Sequence, residues 1–178
     1  MRIEALIANY GLFWQVDELS WARTVGSGMA LRLLGRAGKG RGFRIADFRT
    51  QSGLYILYGD YGPNYVGLVH ANRLGNRLRD HLKDHHKGKW DRFCWFGFRS
   101  VLPVPGPQGV CRLTDAKPSM PVQPKSAIRD IEALLIRSLG LSSNVKQSGF
   151  VGAEQWTQVK QHQVDQFLAK VRRGVGSI

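Results

Sequence analysis

Gly53-Leu54-Tyr55-Ile56-Leu57-Tyr58-Gly59, followed after a turn by Tyr65-Val66-Gly67, decides how this chain is read. A short apolar run bounded by glycines has the length of a buried strand rather than a helix. Gly59-Asp60-Tyr61-Gly62-Pro63-Asn64 is turn chemistry. Tyr65 to Val69 is again short and apolar, so the spacing predicts a hairpin with a longer loop. Beyond it, residues 72–86 read as a helix. Asn72 is a candidate cap, and Leu74, Leu78 and Leu82 recur at i, i+4 and i+8 as one core stripe. Arg77 and His81 stand one helical turn apart on a neighbouring face, at the edge of that stripe. Arg92 to Val101 carries Phe93, Trp95, Phe96 and Phe98 and reads as a third strand.

Working outward, Leu102 to Pro124 is proline-rich and loop-like, with Gly109 to Leu113 as a candidate extended piece. Ser126 to Leu139 is a helix with Ser126 as cap, Pro124 before it and Gly140 as its stop. A last amphipathic helix is expected over 154–173, with Trp156, Val159, Val164, Phe167, Leu168 and Val171 facing inward. On the other side, Leu12, Phe13, Trp14 and Trp21 suit short strands or a strand-helix piece. Arg32 to Arg44 alternates glycine with Arg36, Lys39, Arg41 and Arg44 and reads as a flexible basic loop that either follows phosphates or is simply solvated. The expected organisation is an N-terminal basic and aromatic extension (1–50), a core (51–146) and a C-terminal helical segment (147–178).

Composition narrows the function. The chain has 178 residues, 43% of them hydrophobic, which suits one domain with a real core. A net charge of +13 attracts polyanions, nucleic acid first among them. No basic amphipathic helix dominates and no apolar run has membrane-spanning length, so a membrane role is not expected. Met1 to Val16 lacks a basic start leading into an apolar signal core. The two cysteines, Cys94 and Cys111, make neither a disulfide framework nor a zinc site by themselves and suit a reducing cytoplasm. No sequence-reading module such as a zinc finger or helix-turn-helix is evident.

Three features carry candidate chemistry. Arg77 and His81 are either groove-lining groups or an ordinary basic helix surface. Glu132 has Ile128, Leu135 and Ile136 as helix neighbours, and a carboxylate buried among aliphatics needs a partner, either a divalent cation or an arginine. Asn144 follows the helix stop, where asparagine commonly serves a turn. Tyr55, Tyr58 and Tyr65 suit strand positions in any case. Lys87 and Lys89 belong to a solvated or phosphate-contacting loop.

The order of these residues resembles the GIY-YIG nuclease family. Gly53-Leu54-Tyr55 matches its first motif with Leu for Ile, and Tyr65-Val66-Gly67 its second with Val for Ile. Leu74, Arg77, Leu78 and His81 match its helix pattern. Glu132 and Asn144 fall where the family has its metal-binding glutamate and its asparagine. The resemblance spans residues 51–146. Leu68 and Val69 stand where the family often has Thr or Ser, and the link from hairpin to helix is slightly long.

The resemblance implies an α/β (α+β) fold: a small three-stranded antiparallel sheet sandwiched by helices. It implies a metal-dependent endonuclease that hydrolyses DNA phosphodiester bonds with one Mg²⁺ or Mn²⁺ on Glu132. Arg77 would neutralise the phosphate, Tyr55 would take a proton from the attacking water, Tyr65 and His81 would orient or relay, and Asn144 would buttress. Duplex DNA is the expected partner, with Arg36, Lys39, Arg41, Arg44, Lys87 and Lys89 as candidate phosphate contacts. A dimer would suit double-strand cleavage. A non-cutting nucleic-acid-binding module and an RNA-cleaving effector are the alternatives.

Overall fold

The structure, a computed structural model, describes residues 5–24, 28–70, 73–106, 108–115, 124–140 and 149–175. It corrects the expected fold class. In place of a small three-stranded sheet, the described residues form two five-stranded sheets, a two-stranded ribbon and three α-helices.

The strands, in chain order, are β1 (Asn9–Gln15), β2 (Ser20–Thr24), β3 (Gly28–Arg32), β4 (Leu34–Ala37), β5 (Arg44–Asp47), β6 (Gly53–Gly59), β7 (Gly62–Val69), β8 (Arg92–Gly97), β9 (Val101–Pro105), β10 (Cys111–Leu113), β11 (Glu154–Gln155) and β12 (Thr157–Gln158). The helices are α1 (Leu74–His81), α2 (Pro124–Leu139) and α3 (Val164–Val175). The first sheet runs β11-β1-β8-β6-β7, the second β12-β4-β5-β10-β9, and β2 pairs with β3. The hairpin and the aromatic strand do pair (Tyr55 opposite Gly67 on one side and Trp95 on the other), but β1 and β11 extend the sheet beyond them.

Strand alternation sorts side chains into separate cores. One face of the first sheet (Trp14, Tyr55, Leu57, Phe93, Trp95) meets Phe48, Ala46, Cys111 and Leu113 of the second sheet region and Leu74 and Leu78 of α1. The opposite face (Tyr10, Ile56, Tyr58, Cys94, Phe96) is covered by α2, where Leu134 packs and the Ser138 carbonyl accepts the Tyr58 hydroxyl at 2.6 Å. The outer face of the second sheet (Leu34, Ile45, Val159) is covered by Val164, Leu168 and Val171 of α3. The layers are therefore helix, sheet, sheet, helix, with α1 in the middle layer.

The segments 1–50, 51–146 and 147–178 interleave in this architecture. β1 pairs with β8 and β11, and β5 pairs with β10. Trp156 lies between β11 and β12, fully buried, and its indole N–H donates to Asn9 Oδ1 at 2.9 Å. Residues 154–155 and 157–158 are thus strand, and the last helix starts only at Val164. The Arg32–Arg44 stretch is likewise only in part a loop, which is confined to residues 38–43. It forms the β4–β5 hairpin, whose turn needs glycine because Gly38 sits at φ 79 and a Cβ there would lie 2.0 Å from the Gly42 carbonyl oxygen. Two short strands, β9 and β10, occupy the proline-rich stretch.

Among the described residues no helix is long and apolar enough to cross a membrane.

Candidate active site

The motif glycines show why this hairpin and helix have the sequence they do. Gly53 lies against β8, where a Cβ would fall 2.0 Å from the Phe96 carbonyl oxygen. Gly67 lies opposite Tyr55, and a Cβ there would fall 2.1 Å from the phenol's Cζ and 2.2 Å from its oxygen. The absent side chain at Gly67 is the space that the Tyr55 ring occupies. Gly75 lets the start of α1 close onto Arg49, where a Cβ would meet the Arg49 Cβ at 2.8 Å.

α1 ends at His81, short of the expected residue 86. Asp84 supplies the reason: its Oδ1 accepts the His86 backbone N–H at 2.8 Å, a local bond that competes with continued helix. The chain then turns through Gly88 at φ 72. The segment after α1 brings the His86 ring onto Tyr65 of the hairpin, while His85 stays exposed beside His86. The rings of Tyr65 and His81 are 5.2 Å apart, those of Tyr65 and His86 4.5 Å, and those of His81 and His86 4.8 Å.

Three polar side chains form a continuous chain at the centre. The Tyr55 hydroxyl is 2.7 Å from His81 Nε2, and His81 Nδ1 is 2.8 Å from Asp84 Oδ2. Burial raises the Asp84 carboxyl pKa, but the His86 N–H and the His81 ring outweigh it and hold the carboxyl below its ordinary value. Ionised, Asp84 only accepts, so His81 carries its proton on Nδ1. Nε2 of a neutral ring is then the acceptor, and the Tyr55 O–H donates to it. Trp90 fixes the helix end by donating its indole N–H to the His81 carbonyl at 3.3 Å.

Tyr55 and His81 are buried, while Tyr65 and Arg77 are half-buried. Burial, then the neighbouring Tyr65, push the Tyr55 phenol up to about 12, against the pull of the Arg77 guanidinium beside it. At neutral pH the phenol keeps its proton. His86 is driven the other way, below its ordinary value, by burial first and then by His85 and His81.

Four of the six expected catalytic residues, Tyr55, Tyr65, Arg77 and His81, thus come together from β6, β7 and α1. Glu132 does not join them. It is exposed on α2, which covers the opposite face of the sheet from Tyr55. Of the three aliphatics expected beside it, Ile136 is buried, but Ile128 at 66% and Leu135 at 49% are exposed. A metal held by Glu132 beside the phenols therefore does not fit this arrangement. The His81, Asp84 and His86 ligand atoms, by contrast, lie within 4.8 Å of one another. Asn144 lies outside the described residues.

The expected phosphate contacts divide. Lys87 and Lys89 are exposed on the turn that follows the histidines, and Lys39 and Arg41 are exposed on the β4–β5 turn. Arg36 lies over the Phe167 ring at 5.7 Å. Arg44 pairs with Glu154 and stacks over Trp156 at 5.2 Å. Arg36 thus ties the second sheet to α3, and Arg44 ties it to β11 of the first sheet. A further basic hollow of about 690 Å³, lined by Arg32, Arg49, Arg99 and Arg112 with Asp47 and Asp115, adjoins α1 through Arg49.

Sequence reading misses Asp84, although its place three residues after His81 is a helical contact spacing. It also leaves the roles of His85 and His86 open. Compared with protein-family models, curated proteins and solved structures, the chain matches none of them.

Proposed function

We propose that the protein is an endonuclease that hydrolyses phosphodiester bonds of duplex DNA at the Tyr55–His81–Asp84 chain. The observation that carries this reading is that chain itself, with bonds of 2.7 and 2.8 Å, set beside Arg77 and Tyr65. A protonated phenol is a poor base alone, and the chain supplies what it lacks. Water attacks phosphorus and gives its proton to the Tyr55 oxygen. The Tyr55 proton passes to His81 Nε2, and the Asp84 carboxylate holds the resulting imidazolium. The leaving 3′ oxygen takes its proton from solvent. Positioned proton transfer of this kind contributes about 10²–10⁴-fold.

Arg77 suits the phosphate because a planar, permanently charged fork matches two non-bridging oxygens. Tyr55 has no exposure in the free protein, so a phosphate meets Arg77 and Tyr65 first. Reaching the Tyr55 oxygen requires the Tyr65 ring or the Arg77 side chain to move aside. The +13 charge and the exposed Lys87 and Lys89 favour a polyanionic substrate without base readout.

The test compares supercoiled plasmid, linear duplex, single-stranded DNA and single-stranded RNA, each with Mg²⁺, Mn²⁺ or EDTA. Wild-type protein is expected to nick the plasmid, and Arg77→Ala to lose the activity. Preference for RNA would overturn the substrate assignment. Equal nicking by Arg77→Ala would overturn the site.

A further inference from the structure

We infer that His81, Asp84 and His86 form a binding site for one borderline transition-metal ion, Zn²⁺ or Co²⁺, independent of Glu132. One ligand atom from each residue lies within 4.8 Å of the other two. A tetrahedral ion with bonds of about 2.0–2.1 Å holds its ligands roughly 3.3–3.5 Å apart, so modest side-chain rotations close the set. The donors select the ion. Two imidazoles and a carboxylate suit zinc and cobalt, whereas Mg²⁺ and Ca²⁺ prefer oxygen alone. Three protein ligands leave a fourth position for water.

The surroundings are those of a built site. The second Asp84 oxygen is held by the His86 N–H at 2.8 Å. The second His81 nitrogen is 2.7 Å from the Tyr55 oxygen. The His86 ring lies between those of His85, at 3.9 Å, and Tyr65, at 4.5 Å. Outer partners of this type fix ring orientation around a metal. His81 and His86 are buried and all three ligands belong to the α1 end and the turn after it, so the folded chain holds them near the bound arrangement.

Metal and proton relay exclude each other. An ion on His81 Nδ1, the nitrogen beside Asp84, replaces the proton that Asp84 accepts. The remaining ring proton then sits on Nε2 and points at the Tyr55 oxygen, so His81 cannot receive a proton from Tyr55. Metal loading therefore silences the site. This consequence rests on the nuclease reading; the site itself does not.

Untagged protein is titrated with Zn²⁺ by calorimetry and with Co²⁺ by visible absorption. One ion per chain is expected, with the strong visible bands of four-coordinate cobalt, and excess Mg²⁺ does not displace it. Loss of an outer partner alone costs about 10–100-fold in affinity, so His86→Ala and Asp84→Asn should each weaken binding by at least about 100-fold. Circular dichroism checks that both variants are folded, and His162→Ala serves as a control that keeps the affinity. No stoichiometric binding by wild-type protein, or unchanged binding in both folded variants, overturns the site. A protein that binds the ion but never cuts upholds the site and sinks the nuclease reading. A protein that cuts equally fast when saturated with Zn²⁺ overturns the exclusion between metal and relay.

Discussion

Replacing Gly67 with alanine tests the geometry of the site without removing any of its functional groups. The new methyl carbon would stand 2.1 Å from Tyr55 Cζ and 2.4 Å from Cε1, well inside van der Waals distance. Tyr55 is fully buried between β7, β8 and α1, so its ring has no free space to move into. Overfilling a core position costs about 1–3 kcal/mol. For a chain of this size that lowers Tm by roughly 2–12 °C. The displaced phenol also gives up its 2.7 Å bond to His81, which removes the proton path and should slow cleavage by about 10²–10⁴-fold. Thermal unfolding and nicking rates are measured for Gly67→Ala, Tyr55→Leu and the double variant. Because both changes act on one space, the alanine should destabilise much less when Tyr55 is already leucine. Full additivity in Tm, or wild-type cleavage by Gly67→Ala, would refute the assignment of this glycine to the phenol's space.

Four further outcomes are expected. Asp130 is fully buried and accepts the backbone N–H groups of Leu6, Ile7 and Val151 at 2.8–3.1 Å, so Asp130→Ala should cost about 2–5 kcal/mol in urea unfolding, with Asp130→Asn intermediate. Burial raises the pKa values of Tyr10, Tyr58 and Cys94 in the face covered by α2. For an acid whose folded value is raised, the stability is fully present below the unfolded value, about 8.5 for Cys and 10 for Tyr, and is lost as pH climbs toward the folded value. Phenolate absorbance of these two tyrosines should therefore appear only with alkaline unfolding, and an early rise from Tyr58 would contradict its placement. In DNA binding, Lys87→Ala with Lys89→Ala should flatten the dependence of log K on log salt by about 0.9 for each phosphate no longer neutralised. Arg44→Ala should instead lower Tm, since its guanidinium is held by Glu154 and Trp156.

The hairpin and the start of α1 are legible because their signals are local. A seven-residue run between glycines and a leucine every four residues need no knowledge of the rest of the chain. Tyr55, Tyr65, Arg77 and His81 can be placed for the same reason, by register on adjoining elements. What the sequence hides is set by tertiary pairing. β11 and β12 are two residues each and exist only because β1 and β4 offer edges to them. The β4–β5 strands lie in a glycine- and arginine-rich stretch whose composition reads as loop, yet Gly38, Gly40 and Gly42 serve the turn, Gly35 packs within β4 against Phe48 and Trp14, and Ile45 and Ala46 serve the cores. Glu132 misleads because aliphatic neighbours read as a sign of burial. The buried side of α2 carries Asp130, Ala133, Ile136 and Ser138, with Leu134 packed beside it, whereas Ile128, Ile131, Leu135 and Leu139 are exposed. Asp84 escapes a sequence reading because a lone acid within the expected helix over 72–86 reads as part of its solvated face.

Single-turnover cleavage by the relay variants tests the central claim most directly. Wild-type protein, Tyr55→Phe, Asp84→Asn and the double variant are compared on one duplex, with metal-free reagents and added Mg²⁺. Members of one proton path act as a unit, so each single change should slow cleavage by about 10²–10⁴-fold and the double should be little slower than the worse single. Rates equal to wild type in Asp84→Asn, or independent losses that multiply in the double variant, would contradict it.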